Sequence, residues 1–231
     1  MRAERLAAAV LGLMLVAGCA RGAPPAMLTD RVATTEVIAL PTPRTTGTVT
    51  LEEAIAARRS VRAFSTEPLP RRLVGQLLWA AQGITAPDGK RAAPSAGALY
   101  PLELYVVEPT ALLHYLPNGH RVERRADVDR RPELGAAAFD QSFVGSAPAL
   151  VVIAAVFERT QLEYGALGHD LVNREAGHAA ENLLLEATAL GLGAVPVGGF
   201  DPRAVETALA LPPGCRALYL IPVGYPDGAP G

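Results

Sequence analysis

Residues 58–62 are Arg58-Arg59-Ser60-Val61-Arg62, a run that concentrates cationic and hydroxyl donors. Two distant segments complement it. Pro94-Ser95-Ala96-Gly97 offers a turn with a free hydroxyl, and Pro196-Val197-Gly198-Gly199-Phe200 offers backbone N–H groups that a side chain would otherwise block. Arginine holds phosphate oxygens in a bidentate fork, and glycine lets a flat ring lie directly against the main chain. Together the three segments predict a site for a phosphorylated planar cofactor.

The amino terminus has the pattern of a bacterial lipoprotein signal. Arg2 and Arg5 precede an apolar run over residues 6–16, and Val16-Ala17-Gly18-Cys19 matches a lipobox. The apolar run is too short to span a bilayer as a permanent helix. The pattern therefore predicts a cleaved lipoprotein signal.

We expect residues 1–18 to be the signal peptide and Cys19 to carry the lipid, which would attach the protein to the membrane on its periplasmic side. Ala20 is compatible with sorting to the outer membrane of a Gram-negative cell. Two alternatives remain open: an ordinary secretory signal cut elsewhere, and a true start of translation at Met27.

Composition excludes some classes of function. A formal net charge of −2 with interspersed signs gives no footprint for nucleic acid. After Cys19 the remaining cysteine is Cys215, in a stretch with the pattern of a buried strand, so no disulfide within the chain and no metal site is expected. About 210 residues remain after the signal, enough for one large domain.

The pattern along the chain predicts a flexible tether over residues 19–48, a folded domain over 49–227 and a tail over 228–231. The tether contains Pro24, Pro25, Pro41 and Pro43 and has little periodicity. The domain mixes helices and strands without strict alternation, which favours an α+β architecture with a mixed central sheet flanked by helices. The predicted helices are 51–58, 70–82, 175–190 and one from 202, and the predicted strands are 102–108, 111–115, 121–124, 149–157 and 216–223.

The order and spacing of the three segments resemble the nitroreductase superfamily of FMN-dependent oxidoreductases. Residues 58–64, 78–84, 91–101, 177–182 and 191–194 are similar to the SagB/ThcOx-type dehydrogenase branch, whose members of known role oxidise thiazolines and oxazolines in peptides. The resemblance implies a nitroreductase-like fold, FMN as cofactor and a domain-intertwined homodimer. It also implies electron transfer to or from a small-molecule or peptide substrate.

The resemblance also implies roles for residues of each segment. Arg58, Arg59, Ser60 and Arg62 match the region that contacts the FMN phosphate and pyrimidine edge. Pro94, Ser95 and Gly97 match contacts that reach the flavin from the neighbouring subunit. Pro196, Val197, Gly198 and Gly199 match the segment whose amides point at the N5 and O4 edge of the flavin.

The chain departs from the branch at its Lys-Tyr pair for proton handling. Here the pair is Glu163-Tyr164, and a carboxylate replaces the ammonium. We expect Glu163 and Tyr164 to be the catalytic side chains of an oxidoreductase with an unidentified substrate. Two alternatives remain open: an azoline dehydrogenase acting on peptides, and a non-catalytic flavin-fold lipoprotein that binds a small molecule or a partner.

Overall fold

A computed structural model describes residues 36–228 of the 231-residue chain. The predicted signal peptide, Cys19 and most of the predicted tail lie outside these residues. The strands are β1 Glu36–Ala39, β2 Leu102–Glu108, β3 Ala111–Leu116, β4 Arg121–Ala126, β5 Ala149–Val156, β6 Gly193–Ala194 and β7 Cys215–Gly224. The helices are α1 Leu51–Ala57, α2 Arg71–Gln82, α3 Arg131–Ala137, α4 Ser142–Ser146, α5 Glu158–Tyr164, α6 Leu167–Ala189 and α7 Pro202–Ala208, with a 3₁₀ turn at Ala96–Ala98.

The seven strands form one sheet in the order β1-β4-β3-β2-β5-β7-β6. Every strand pair is antiparallel, so the prediction of a mixed sheet is wrong for the described strands. Short hairpins reverse the chain between β2, β3 and β4, and the helices between β5 and β7 return it in the opposite direction. A parallel contact occurs as an isolated bridge between Ser60 and Ala194.

The sheet is covered on both faces, and β2 illustrates why. Leu104 and Val106 pack into the core beneath α2 and α6, whereas Tyr105 and Val107 pack into a second core with α3, α4 and α7. This alternation follows from the two-residue period of a strand. A sheet buried on both faces explains the unbroken apolar run of β5, in which Ala149–Ala155 are all buried.

Helix α1 begins with the predicted capping box. The Thr50 hydroxyl accepts a hydrogen bond from the Glu53 N–H at 3.2 Å, and the Thr50 N–H donates to Glu53 Oε2 at 2.8 Å. Two otherwise unsatisfied N–H groups are paired in this way. The cap fixes where α1 starts, as the sequence predicts; the helix runs from Leu51 to Ala57, and Arg58 is its C-cap, so it ends one residue before the predicted end.

The prediction of a flexible tether is wrong for residues 36–44. Strand β1 pairs with β4 at the edge of the sheet, and Leu40 is buried. The buried side chain of Gln76 holds the backbone of Arg44 on both sides: Arg44 N–H donates to Oε1 at 2.8 Å, and Nε2 donates to the Arg44 carbonyl at 3.0 Å. The β-branched and apolar residues of the stretch outweigh the prolines that follow.

Helix α6 is two turns longer than predicted. It begins at Leu167, directly after the turn at Gly165 that ends α5, and Gly168 packs so closely on α5 that an added Cβ would lie 2.8 Å from the Cα of Gln161. The two helices therefore form a tight pair beside β5. Within residues 36–228, the helices are all too short or too polar to cross a membrane.

Candidate cofactor site

The first and third segments lie side by side. The Val61 N–H donates to the Ala194 carbonyl at 3.1 Å, next to the bridge between Ser60 and Ala194. Gly193 is essential to this approach, because an added Cβ would lie 2.6 Å from a Val61 methyl carbon. The structure thus brings Ser60 and Val61 against Gly193 and Ala194, although Val61 and Gly193 are 132 positions apart in the chain. These contacts join the segment 58–62 to the start of the segment 194–199. We call these residues the arginine–glycine patch.

Strand β7 fixes the glycine part of this patch. Val197 exchanges two backbone hydrogen bonds with Leu220, at 2.8 and 3.0 Å, and it is buried. Gly198 and Gly199 follow and are exposed. An added Cβ would meet nothing within 4 Å at Gly199 and only the Tyr219 ring, at 3.8 Å, at Gly198. The main chain here is open on its outer side, as a planar ring lying against it requires.

The three predicted arginines differ in what they contact. Arg58 is half-buried, and its Nε lies 3.7 Å from Glu181 Oε1 on α6. Arg62 places its guanidinium 5.8 Å from the centre of the Phe143 ring. Arg59 folds back and donates to the carbonyls of Ala56 and Arg58 at the end of α1, at 3.0 and 2.8 Å. Arg59 therefore caps its own helix, and Arg58 and Arg62 are the better candidates for an anion.

The second segment adjoins a catalytic candidate. Ser95 Oγ accepts a hydrogen bond from the Tyr100 N–H at 2.9 Å, which closes the turn. Gly97 has a φ of +59°, and an added Cβ there would lie 3.1 Å from the Tyr164 hydroxyl. Pro94 is exposed beside them. We call Pro94, Ser95, Gly97 and Tyr164 the serine–tyrosine patch.

Glu163 is exposed near the end of α5, next to Leu162, which is 81% exposed. Among residues 36–228, none of the hydrogen bonds and strand pairings joins the serine–tyrosine patch directly to the arginine–glycine patch.

A buried polar cluster behind Ser95 is absent from the sequence predictions. Glu175 on α6 is 3% exposed, Gln82 on α2 is fully buried, and Arg91 Nη1 donates to Gln82 Oε1 at 3.0 Å. The Arg91 guanidinium also stacks on the Tyr100 ring at 4.5 Å. Burial raises the pKa of Glu175 to about 7, although Ser95, Arg91 and Gln82 each lower it. One sequence signal points to this cluster: Glu175 stands one turn before Ala179 on the apolar stripe of α6.

A separate cavity of about 430 Å³ lies away from both patches, between the segment 44–49, α2 and the end of α6. Within residues 36–228, the His, Cys, Asp and Glu side chains form no cluster suited to a metal ion. The candidate chemistry is therefore that of the two patches.

The sequence matches the Nitroreductase family over residues 55–225. A protein of Methanocaldococcus jannaschii described as a nitroreductase is 40% identical over 183 residues, which covers 76% of this chain and 91% of that one. A crystal structure of a nitroreductase homologue from Ralstonia eutropha superposes with a TM-score of 0.76 at 33% identity, over 84% of this chain and 90% of that one. An NADPH-flavin oxidoreductase of Vibrio harveyi is 31% identical over 119 residues, about half of each chain.

Proposed function

Because the chain belongs to the nitroreductase family, we propose that it is an FMN-dependent oxidoreductase that moves two electrons through flavin N5 to or from a small-molecule or peptide substrate. One observation carries the proposal: the Val61–Ala194 hydrogen bond ties the arginine run to the segment that continues into the open Gly198-Gly199 main chain. A phosphate and a flat ring need these two kinds of surface at one place.

The residues of the arginine–glycine patch fit FMN. Arg58 and Arg62 would hold the phosphate and the polar edge of the pyrimidine, with the Ser60 hydroxyl beside them. The amides at Gly198 and Gly199 would donate to the N5 and O4 edge, where negative charge develops on reduction. When bound, FMN supplies the two-electron chemistry, and the protein supplies position and hydrogen bonds.

The protein acts as a homodimer in this proposal. The serine–tyrosine patch of one subunit would complete the FMN site of the other, as the resemblance to the family implies for Pro94 and Ser95. The exposed apolar residues on α1, Leu51 and Ile55, together with the preceding Val49, supply a surface for association.

Tyr164 is the proposed proton-handling side chain, and Glu163 is its neighbour. The contact of the Tyr164 hydroxyl with Gly97 supports a place for Tyr164 at the substrate side of the flavin. The network of Arg91, Ser95 and Tyr100 lies in the segment that resembles the SagB/ThcOx-type branch, and we assign the chain to that branch as the narrower proposal. Azoline oxidation of a peptide is the second candidate, favoured by the same position of Tyr164.

We further propose that the mature protein is lipid-anchored at Cys19 on the periplasmic side of the outer membrane. The lipobox is the support for this, since Cys19 lies outside residues 36–228.

Purification of the protein without its signal tests the cofactor proposal directly. We expect a yellow protein whose released chromophore is FMN, and bleaching of the flavin absorbance on addition of a two-electron reductant. Purified, folded protein that neither contains FMN nor binds added FMN would contradict the proposal and leave the non-catalytic alternative.

A further inference from the structure

Glu175 lies directly behind the serine–tyrosine patch, on a face of α6 that otherwise carries alanine and leucine. It is 3% exposed, and its Oε1 atom has no hydrogen-bond partner. Nε2 of the fully buried Gln82 also has none. Buried polar atoms without a partner are rare and costly. A carboxyl retained under such conditions calls for a role other than packing.

The surroundings of Glu175 connect it to Ser95. Arg91 donates to Gln82 Oε1 at 3.0 Å and stacks on the Tyr100 ring, and the Tyr100 N–H donates to Ser95 Oγ at 2.9 Å, so one chain of contacts runs from Gln82 to Ser95. Burial raises the pKa of Glu175 to about 7, and Ser95, Arg91 and Gln82 each act against this rise. Beyond Arg91, the charges of Glu103 and Arg159 act on Arg91 itself.

The hydroxyl of Ser95 has one proton to donate. Its oxygen already accepts from the Tyr100 N–H. An ionised Glu175 can only accept, so it draws the Ser95 proton inward. A protonated Glu175 can itself donate to Ser95, and the Ser95 proton then points outward.

We propose that Glu175 is a positioning residue that decides whether Ser95 donates its hydroxyl proton to FMN or back into the protein. This inference rests on the proposed function, in which Ser95 contacts the FMN of the partner subunit. When Glu175 is protonated, the Ser95 hydroxyl is free to donate to FMN. When Glu175 is ionised, the hydroxyl donates to Glu175 and no longer to FMN.

The test measures the FMN dissociation constant of the purified protein by quenching of flavin fluorescence. The pH range is roughly 5.5 to 8.5, which covers the titration of a group with a pKa near neutrality. The variants are Glu175→Gln and Ser95→Ala. Affinities are compared with Ser95→Ala at the same pH, which cancels the titration of the FMN phosphate itself. We expect the parent to bind FMN about tenfold more tightly than Ser95→Ala at low pH, and this difference in affinity to disappear as the pH rises through 7. Glu175→Gln should bind FMN more tightly than Ser95→Ala at every pH.

Glu186→Gln is the matched control. Glu186 lies on the same helix three turns later, and burial also raises its pKa, but it faces Gln76 and Arg44 rather than Ser95. This variant should behave as the parent does.

A second measurement, on the protein freed of FMN, does not depend on the cofactor. A buried acid whose folded pKa is raised gives its full stability below the unfolded pKa and loses it as pH rises to the folded value. The free energy of unfolding of Glu175→Gln minus that of the parent should therefore increase between about pH 4.5 and 7 and then level off.

The outcomes separate the two proposals. A parent that does not bind FMN overturns the proposed function and this inference with it. FMN binding in which Ser95→Ala matches the parent at every pH overturns only the role of Ser95. A Glu175→Gln variant that keeps the parent's pH dependence, or whose stability difference does not change with pH, overturns the role of Glu175.

Discussion

Arg58 and Arg59 are neighbours in sequence with different tasks in the structure, and this difference can be measured. Arg58→Ala should raise the FMN dissociation constant about tenfold to a hundredfold, because a charge-assisted hydrogen bond contributes roughly 1.5–3 kcal/mol. Arg59→Ala is the control, since the Arg59 guanidinium is bound to the end of its own helix. Titration of flavin fluorescence measures both.

Equal losses in the two variants would contradict the assignment of Arg58 to the phosphate. They would show that the general positive charge of the turn binds FMN, with no specific fork.

Glu163 stands where the proposed SagB/ThcOx-type branch has a lysine. Glu163→Gln should lower turnover, with whichever acceptor supports turnover of the parent, and leave the flavin content unchanged, because it removes a charge next to Tyr164 and hardly changes the shape. Steady-state rates and the absorbance ratio of flavin to protein measure the two quantities. A variant equal to the parent in both would show that Glu163 is a solvated surface residue.

Glu163→Lys restores the ammonium of the branch and is assayed against a peptide that contains a thiazoline. Thiazole formed only by this variant would show that one position switched off azoline oxidation. Thiazole formed by the parent would make azoline oxidation the function itself.

At the scale of an element, the attachment of the segment 36–48 depends on Gln76. Gln76→Ala should lower the free energy of unfolding by roughly 1–3 kcal/mol, because it leaves the N–H and carbonyl of Arg44 without their partners. Chemical denaturation measures the loss, and amide exchange at Arg44 should accelerate. The exposed Gln161→Ala is the control on another helix. Unchanged amide exchange at Arg44 in Gln76→Ala would contradict the role of the two Gln76–Arg44 hydrogen bonds.

Elements with strong local signals could be predicted from the sequence. The capping box of Thr50 and Glu53 fixed the start of α1, and the apolar run of β5 identified a strand buried on both faces. The edge strand β1 was missed because four residues stabilised by pairing with the distant β4 carry little periodicity of their own. Glu175 was missed because its burial depends on α2 and the 94–100 loop, which lie far away in the sequence.

At the scale of the whole molecule, the proposed FMN site needs two subunits. Ile55→Asp on the exposed face of α1 should weaken the dimer about tenfold or more, because it puts a charge into an apolar contact. Sedimentation measures the association, and FMN content should fall with it. Glu52→Gln, a polar change on the same helix, is the control. A parent that sediments as a monomer with FMN bound would contradict the shared site.

The proposed lipid anchor is tested at the amino terminus of the chain. Mass spectrometry of the mature amino terminus should find a lipid-modified peptide that begins at Cys19. Cys19→Ser should abolish the modification and release the protein from the membrane fraction. An unmodified peptide beginning at any other residue would contradict the lipid anchor.

The docking of β1 against β4 limits how far an anchored domain could stand from its membrane. A free chain from Cys19 to residue 48 would reach roughly 100 Å when fully extended, whereas the chain from Cys19 to Glu36 reaches at most roughly 60 Å. A dimer would have two such connecting segments, each leading into β1 at the edge of its sheet. The flavins would then be confined to a thin layer above the lipid surface, and substrates that partition to that surface would meet them most often.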